Sequence, residues 1–229
     1  MNIIVNGGSR GIGKEVVLFL SQDVSNQIIV TGRNEMALKS LSASSSNIHA
    51  VRSDLSIPQD LEGTFPDKIL RHFKRVDVLI NMAGALVSKE FMEIDDKEAR
   101  LMMETNFFGP AAVIRMLKPL MPAGSHIVNI SSMGGFQGSV KFAGLSYYSA
   151  SKAALSCLSE CLAEEFKDSG ISVNCIALGA VQTEMLGEAF PGYKAPVEAF
   201  EIAPFISYFA LNGHRFMNGK IVPVALNNP

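Results

Sequence analysis

The chain has 229 residues, 48% of them hydrophobic and 18% charged, with a formal net charge of −2. This composition excludes a disordered or fibrous protein, and it offers no basic surface for nucleic acid. No apolar run approaches the ~18 residues that a membrane span needs. Because the first residues lack a signal-peptide pattern and three cysteines make no disulfide framework, we expect a cytoplasmic protein without membrane or nucleic-acid partners.

Short β-branched apolar runs alternate with longer segments of helical period. The predicted strands are 3–5, 28–30, 48–51, 76–80, 127–130, 171–176 and 221–224. The predicted helices are about 11–21, 34–43, 58–73, 97–118, 147–168 and 196–211. This alternation predicts an α/β fold, a doubly wound parallel sheet of about seven strands with helices on both faces. Neither a repeat nor a linker interrupts it, so we predict a single Rossmann-type domain over residues 1–229.

A glycine-rich turn joins the first predicted strand to the first predicted helix. Glycine permits a tight turn and lets backbone N–H groups approach a phosphate, while the helix N-terminus adds partial positive charge. The spacing is G-x-x-x-G-x-G, and the Gly-Lys-Ser/Thr of a Walker loop is absent. We predict a dinucleotide phosphate site formed by Gly7, Ser9, Arg10, Gly11, Ile12 and Gly13.

The second predicted strand is followed by Arg33 rather than by an acidic residue. In NAD-binding α/β domains a carboxylate near this point bonds the adenosine ribose. A guanidinium can instead grip a 2′-phosphate, and Arg10 could reach the same group. We therefore predict that NADP(H) is preferred over NAD(H); the alternative is two solvated surface arginines. Asp54, after the third strand, is a candidate adenine partner or, alternatively, a turn cap.

Tyr148 and Lys152 lie four residues apart in a predicted helix and therefore share one face. A nearby ammonium lowers the pKa of a phenol from ~10 toward neutrality, which suits a general acid or base. Tyr147 is a weaker candidate, because Ser151 rather than a lysine follows at that spacing. Upstream, Ser132 follows a predicted strand, at the sheet edge where open α/β sheets bind ligands.

Together and in this order, these residues resemble the short-chain dehydrogenase/reductase family over nearly the whole chain. The matching pieces are the glycine turn, Asp54, residues 81–84, Asn106, Ser132, Tyr148, Lys152 and residues 173–183. Each piece alone is a weak signal, whereas all of them in register are highly specific. The resemblance implies hydride transfer between NADP(H) and a small carbonyl or alcohol, with 3-oxoacyl-thioester reduction as one candidate activity. It also implies a homodimer or homotetramer.

The resemblance further implies individual roles. Tyr148 would protonate the carbonyl oxygen, and Ser132, with Ser131 as the less favoured alternate, would polarise that carbonyl. Lys152 would bind the nicotinamide ribose and lower the pKa of the tyrosine. Asn106 would kink its helix and hold a water that relays protons. The further residues implied to contact the cofactor are Leu55, Asn81, Ala83, Gly84, Gly179, Val181 and Thr183.

Two segments are predicted to form the substrate side of the site. Residues 133–146 are longer than the family's usual interval, and residues 184–196 are shorter than its usual lid. The candidates for an apolar substrate pocket, or alternatively for ordinary core packing, are Met133, Phe136, Phe142, Met185 and Phe190. A carrier-protein thioester would also need a basic docking patch, for which Lys141, Lys194 and Arg215 are the few candidates.

Three alternatives remain beside this interpretation. Cys157 and Cys161 have a spacing that metal ligands can use, but no further ligand pattern accompanies them, so we predict no metal site. A non-catalytic NADP(H)-binding sensor or scaffold of the same fold would retain the glycine turn without the chemistry. A methyltransferase would share a glycine-rich turn but would leave Tyr148, Lys152 and Arg33 unexplained.

Overall fold

The computed structural model describes residues 1–57, 60 and 65–226, which form a parallel sheet covered by helices on both faces. The strands are β1 (Asn2–Asn6), β2 (Gln27–Gly32), β3 (Ile48–Arg52), β4 (Val78–Asn81), β5 (His126–Ser132), β6 (Ser172–Leu178) and β7 (Ile221–Val224). They make one seven-stranded sheet in the order β3-β2-β1-β4-β5-β6-β7. Every pairing is parallel, which confirms the predicted doubly wound sheet.

The helices alternate with these strands along the chain. They are α1 (Gly11–Ser21), α2 (Glu35–Ser44), α3 (Phe65–Leu70), α4 (Asp96–Met103), α5 (Gly109–Leu117), α6 (Ser146–Glu165), α7 (Glu184–Ala189) and α8 (Ala199–Asn212). A π-helical segment, Glu104–Phe108, joins α4 to α5, so the predicted helix 97–118 is one deformed rod. Residues 58, 59 and 61–64 of the predicted helix 58–73, and residues 227–229 of the predicted domain, lie outside the described residues.

Alternate residues of each strand contribute to two separate cores. Ile3 and Val5 of β1 belong to a cluster with residues of α1, α2 and α8, whereas Ile4 belongs to one with residues of α5 and α6. All three side chains are fully buried. Because a strand buried on both faces is a continuous apolar run, β1 and β2 could be recognised from sequence. Strand ends were predicted less well, since β4 and β5 end in polar residues such as Asn81 and Ser132.

The carboxyl ends of the central strands are tied together by buried side-chain hydrogen bonds, which we call the amide chain. Thr31 Oγ1 donates to Asn6 Oδ1 (2.8 Å), and Asn6 Nδ2 donates to Asn81 Oδ1 (2.7 Å). Asn81 Nδ2 then donates to Asn129 Oδ1 (2.8 Å), and Asn129 Nδ2 donates to Ser159 Oγ of α6 (2.8 Å). Buried amides need such partners, so these contacts hold β2, β1, β4, β5 and α6 in register.

The sheet edge formed by these carboxyl ends is where the sequence motifs meet. The glycine turn follows β1, Ala83 and Gly84 follow β4, and Ser132 ends β5. Strand order reverses between β1 and β4, the point at which open α/β sheets form a crevice outside the strand ends. Topology therefore brings together residues that are distant in the chain.

His126, at the start of β5, is fully buried and held in its neutral form. Its Nδ1 donates to Ala210 O (2.9 Å), and its Nε2 accepts from Asn174 Nδ2 (2.9 Å). Asn174 Oδ1 is occupied by the backbone N–H of Lys220 (3.0 Å), so the amide cannot turn over to accept a second ring proton without losing that bond. Burial lowers the pKa of His126 to about 4 from its ordinary 6.5.

We expect acid to destabilise the fold through His126. Since the unfolded chain binds the proton more readily, this contribution is complete above pH 6.5 and is lost as the pH falls toward 4. The full loss corresponds to about 3 kcal/mol. His126→Gln should flatten the dependence of the free energy of unfolding on pH in this window, as measured by urea titration. The exposed His72 provides the control His72→Gln, and an unchanged pH slope in His126→Gln would contradict the assignment.

Candidate active site

A cleft of about 830 Å³ opens at the carboxyl edge of the sheet. The residues implied for catalysis or cofactor contact that line it are Gly7, Ser9, Arg10, Gly11, Ile12, Gly13, Arg33, Asp54, Leu55, Ala83, Gly84, Ser132, Tyr148, Lys152, Gly179, Val181 and Thr183. Met133, Phe142, Met185 and Phe190, named as substrate candidates, line it as well. One cleft thus brings together segments from the first to the last third of the chain.

Three predicted residues do not line the cleft. The amide of Asn81, expected against the cofactor, is buried within the amide chain and holds the strands instead. Phe136 closes the turn Met133–Gly135 through its backbone N–H, outside the lining. Asn106 is fully buried beneath the cleft. Their predicted roles toward cofactor and substrate stay predictions.

The glycine turn is shaped by two positions that exclude a side chain. Gly7 has φ of 82°, in the left-handed region, and a Cβ there would lie 2.4 Å from the Ala83 nitrogen. A Cβ on Gly13 would lie 2.3 Å from the carbonyl oxygen of Gly7. The turn therefore closes tightly on itself and on the end of β4. Among the described residues no side chain caps the N-terminus of α1, which leaves a backbone cradle suited to phosphate.

The two arginines at this end of the cleft have different surroundings. Arg33 follows β2 and is exposed at the cleft. Arg10 instead pairs with Glu188 of α7, Nη1 to Oε1 at 2.8 Å. This differs from the expectation that both arginines address one phosphate, because α7 brings a carboxylate to Arg10. Such an exposed ion pair is weak, so it can be exchanged for another anion.

Lys152 and Tyr148 are perturbed by burial in different ways. Lys152 Nζ is buried and donates to the carbonyl oxygen of Ile130 (2.9 Å), and burial lowers the pKa of this ammonium to about 8. Burial raises the pKa of the Tyr148 phenol, which the neighbouring Ser132 hydroxyl offsets only in part. Burial therefore sets the upward direction of this pKa, and the lowering by Lys152 that the resemblance implies stays a prediction. A neutral phenol is the form that donates a proton.

The two serines that end β5 differ in their hydrogen-bond partners. Ser131 Oγ donates to Lys152 O (2.8 Å) and accepts from Ser156 Oγ (2.9 Å), so it fastens α6 to the sheet. Ser132 Oγ accepts a longer bond from Gly134 N (3.2 Å) and lies beside the Tyr148 phenol. The geometry thus favours Ser132 as the hydroxyl available to a ligand.

Asn106 lies in the π-helical segment and deforms its helix, as the resemblance implied. Its Nδ2 donates to Ala85 O (2.9 Å) and to Ser151 Oγ (2.8 Å), while its Oδ1 accepts from Ala85 N (2.7 Å). Both amide hydrogens are thus used, whereas Oδ1 keeps a second acceptor site, and the water that the resemblance implied stays a prediction. It holds the loop after Gly84 against α6, the helix that carries Tyr148.

Two lining residues, Ser53 and Thr105, were missed by the sequence reasoning. Their hydroxyls are buried and have no hydrogen-bond partner among the described residues. A buried hydroxyl without a partner is costly, so each is suited to a polar group of a bound molecule. Ser53 directly precedes Asp54 and Thr105 directly precedes Asn106, so adjacency to matched motifs was the available signal. With the glycine cradle and Arg33, these hydroxyls fit a dinucleotide.

Along the described part of the chain, the His, Cys, Asp and Glu side chains form no group of three that could hold a metal ion. Cys157 and Cys161 are exposed neighbours on α6. The described helices include none with the length and apolar character of a membrane span.

Comparisons with known proteins show what this chain is similar to. A family model described as short chain dehydrogenase matches residues 1–194. An uncharacterized oxidoreductase of Staphylococcus epidermidis is 27% identical over 208 residues, covering 90% of this chain and 88% of that protein. The 3-oxoacyl-[acyl-carrier-protein] reductase of Mus musculus is 32% identical over 182 residues, covering 79% and 75%. A Burkholderia cenocepacia J2315 short chain dehydrogenase solved with NADP shares the fold, with a TM-score of 0.84 at 22% identity, covering 97% and 95%.

Proposed function

Because this chain belongs to the short-chain dehydrogenase family, we propose that it is an NADPH-dependent oxidoreductase that reduces a carbonyl to an alcohol, or catalyses the reverse. The observation that carries this proposal is the convergence of Ser132, Tyr148 and Lys152 on one cleft with the glycine cradle. A sensor or scaffold that only binds NADP(H) would not need these three groups together. The nicotinamide, when bound, supplies the hydride.

In the proposed mechanism the protein positions the carbonyl and supplies its proton. The Ser132 hydroxyl hydrogen-bonds the carbonyl oxygen, and the neutral Tyr148 phenol gives its proton to the same oxygen as negative charge develops there. Lys152 has three N–H donors, of which one binds Ile130 O, so two are free for the ribose hydroxyls of the cofactor. Its positive charge also stabilises the phenolate that the proton transfer leaves behind.

The proposed preference for NADPH rests on Arg33. This guanidinium lies at the cleft directly after β2, and no carboxylate takes its place there. Glu35, two residues further, is paired with Lys39 (2.7 Å) and is therefore partly neutralised. A 2′-phosphate at this position would find a bidentate partner and no repelling acid. The NADP present in the Burkholderia cenocepacia structure is consistent with this choice.

Ser53 and Thr105 should contribute to binding either dinucleotide. Ser53→Ala and Thr105→Val should each lower the affinities for NADPH and for NADH by about fivefold, since each removes a hydrogen bond worth about 1 kcal/mol. Calorimetric titration measures both affinities. Ser207 is a matched control, because its hydroxyl is equally buried and without a described partner but lies in α8, outside the cleft lining. Unchanged affinities in both variants, or an equal loss in Ser207→Ala, would overturn the assignment.

The reaction itself is tested by mixing the protein with NADPH and a panel of ketones. The proposal expects oxidation of NADPH and release of an equal amount of alcohol. Tight binding of NADPH with no turnover of any carbonyl would instead favour the sensor or scaffold. Reduction of a 3-oxoacyl thioester is a narrower candidate, which the name of the Mus musculus relative supports.

A further inference from the structure

The lining of the cleft includes large apolar and aromatic side chains. Six of them we call the apolar wall, namely Leu86, Met133, Phe142, Leu145, Phe190 and Tyr193. They come from three separate segments of the chain, the loop after β4, the loop between β5 and α6, and the segment around the end of α7. Only the hydroxyl of Tyr193 is polar among these side chains.

Two members of the apolar wall lie close in the chain to the residues with the reacting hydroxyls, Ser132 and Tyr148. Met133 follows Ser132 directly, and Leu145 immediately precedes α6, three residues before Tyr148. The backbone N–H of Lys89 donates to Gly144 O (3.1 Å), which fastens the loop carrying Leu86 to the loop carrying Leu145. A carbonyl held by Ser132 and Tyr148 would therefore place its substituents against this wall.

The acidic and basic side chains that line the described cleft all lie outside the apolar wall. They are Arg10, Arg33, Asp54, Lys152 and Glu184. Arg10, Arg33 and Asp54 belong to the turns after β1, β2 and β3, and Glu184 lies against Gly11, whose added Cβ would be 3.5 Å from its Oε2. Lys152 is buried and bound to Ile130 O. Within the described lining, Lys152 is thus the one cation near Ser132 and Tyr148, and its free N–H groups are assigned to the ribose hydroxyls of the cofactor rather than to a substrate carboxylate.

The lysines near the cleft do not provide a cationic partner for such a carboxylate. Lys141 is outside the lining, and its Nζ is bound to Phe136 O (2.6 Å) and Ser139 Oγ (2.7 Å). Lys194 is exposed next to Tyr193 in sequence, and it too is outside the lining. The phosphates of a carrier-bound or coenzyme-bound thioester could therefore pair only with exposed lysines outside the cleft lining.

The exposed aromatic rings of the apolar wall favour an apolar ligand. Phe142 and Tyr193 are 52% and 51% exposed although they line a concave cleft. Covering apolar surface is favourable by about 25 cal/mol per Å², whereas a carboxylate moved into this site loses hydration without a paired charge. The kcat/KM for apolar substrates should therefore be much higher than the kcat/KM for anionic ones.

We propose that the substrate of the carbonyl reduction is an uncharged ketone or aldehyde with an apolar, aryl-sized substituent, and that the apolar wall selects it. This inference rests on the proposed function, since it needs a carbonyl held at Ser132 and Tyr148. It separates this chain from an enzyme whose substrate is recognised by a carboxylate or by the phosphates of a carrier.

Matched pairs of carbonyls test the proposal. With NADPH, kcat/KM for acetophenone should exceed that for 4-acetylbenzoate by about 100-fold, because only the latter carries an unpaired carboxylate. The uncharged thioester S-acetoacetyl-N-acetylcysteamine should likewise exceed acetoacetyl-coenzyme A. Equal or better turnover of the anionic members would overturn the inference while leaving carbonyl reduction intact. Failure to turn over any member would overturn both.

Variants of the wall provide an independent measurement. Phe142→Ala and Phe190→Ala should raise KM for acetophenone by about tenfold, with NADPH affinity unchanged as the control for folding. Val140→Ala is the matched control, because Val140 is exposed in the same loop as Phe142 but outside the lining. Lys194→Ala should leave the pairwise ratios unchanged. An unchanged KM in both wall variants, or a loss of all anionic turnover in Lys194→Ala, would contradict selection by the wall.

Discussion

Replacing Tyr148 by phenylalanine should lower kcat for carbonyl reduction by about 10³-fold, with little change in the affinity for NADPH. The variant keeps the ring, so it keeps the packing of the cleft. It removes the only proton that the proposed mechanism delivers to the carbonyl oxygen, and it leaves the Ser132 hydrogen bond in place. Since burial raises the pKa of this phenol, the wild-type group is protonated near neutral pH and is poised to act as the acid.

The neighbouring tyrosine gives this test a matched control. Tyr147 stacks on Phe91 with ring centroids 5.7 Å apart, and it is not among the residues lining the cleft. Tyr147→Phe should therefore leave kcat unchanged. Steady-state rates with acetophenone and calorimetry with NADPH report the two quantities separately. A normal kcat in the Tyr148→Phe variant would show that the proposed acid–base role is wrong. Loss of NADPH binding in this variant would instead indicate a structural defect.

Replacing Arg33 by alanine should lower the affinity for NADPH by about 100-fold and leave the affinity for NADH nearly unchanged. A guanidinium–phosphate pair makes two charge-assisted hydrogen bonds of about 1.5 kcal/mol each. NADH has no 2′-phosphate, so it makes neither bond and its affinity does not depend on them. The affinity of the wild-type protein for NADPH should also fall with added salt, because Arg33 is exposed. Calorimetric titration with both cofactors gives the ratio directly.

Two other arginines sharpen this result. Arg52 ends β3, one strand further along the sheet, and lies outside the cleft lining, so Arg52→Ala should leave both affinities unchanged. Arg10→Ala should weaken NADPH less than Arg33→Ala does, because Arg10 must first leave Glu188. Equal losses of NADPH and NADH in Arg33→Ala would show that this arginine does not read the 2′-phosphate.

Much of the fold was determined locally, which is why the sequence predicted it. Strands such as β1 are continuous apolar runs because they are buried on both faces, and glycine at positions 7 and 13 marks a turn that excludes a Cβ. The family match over residues 1–194 and the parallel sheet confirm the predicted family and fold.

What the sequence left open concerns side chains whose partners lie far away in the chain. The amide of Asn81 lies between Asn6 and Asn129 in the sheet, which its neighbours in the sequence do not indicate. Ser53 and Thr105 carry no sequence signal of their own, because an unpartnered hydroxyl is defined by what surrounds it. Arg10 stays a candidate for the phosphate, and the fold also brings Glu188 to it across 178 residues of sequence.

The sequence by itself thus determined the family, the alternation of strands and helices, and the identities of the groups proposed to carry out the chemistry. These properties depend on residue type and on short spacings. Only the tertiary structure decided which serine is free, that burial raises the pKa of Tyr148, and that the wall beside it is apolar. Those properties depend on burial, hydrogen-bond partners and the local dielectric, which arise when segments far apart in the chain pack together.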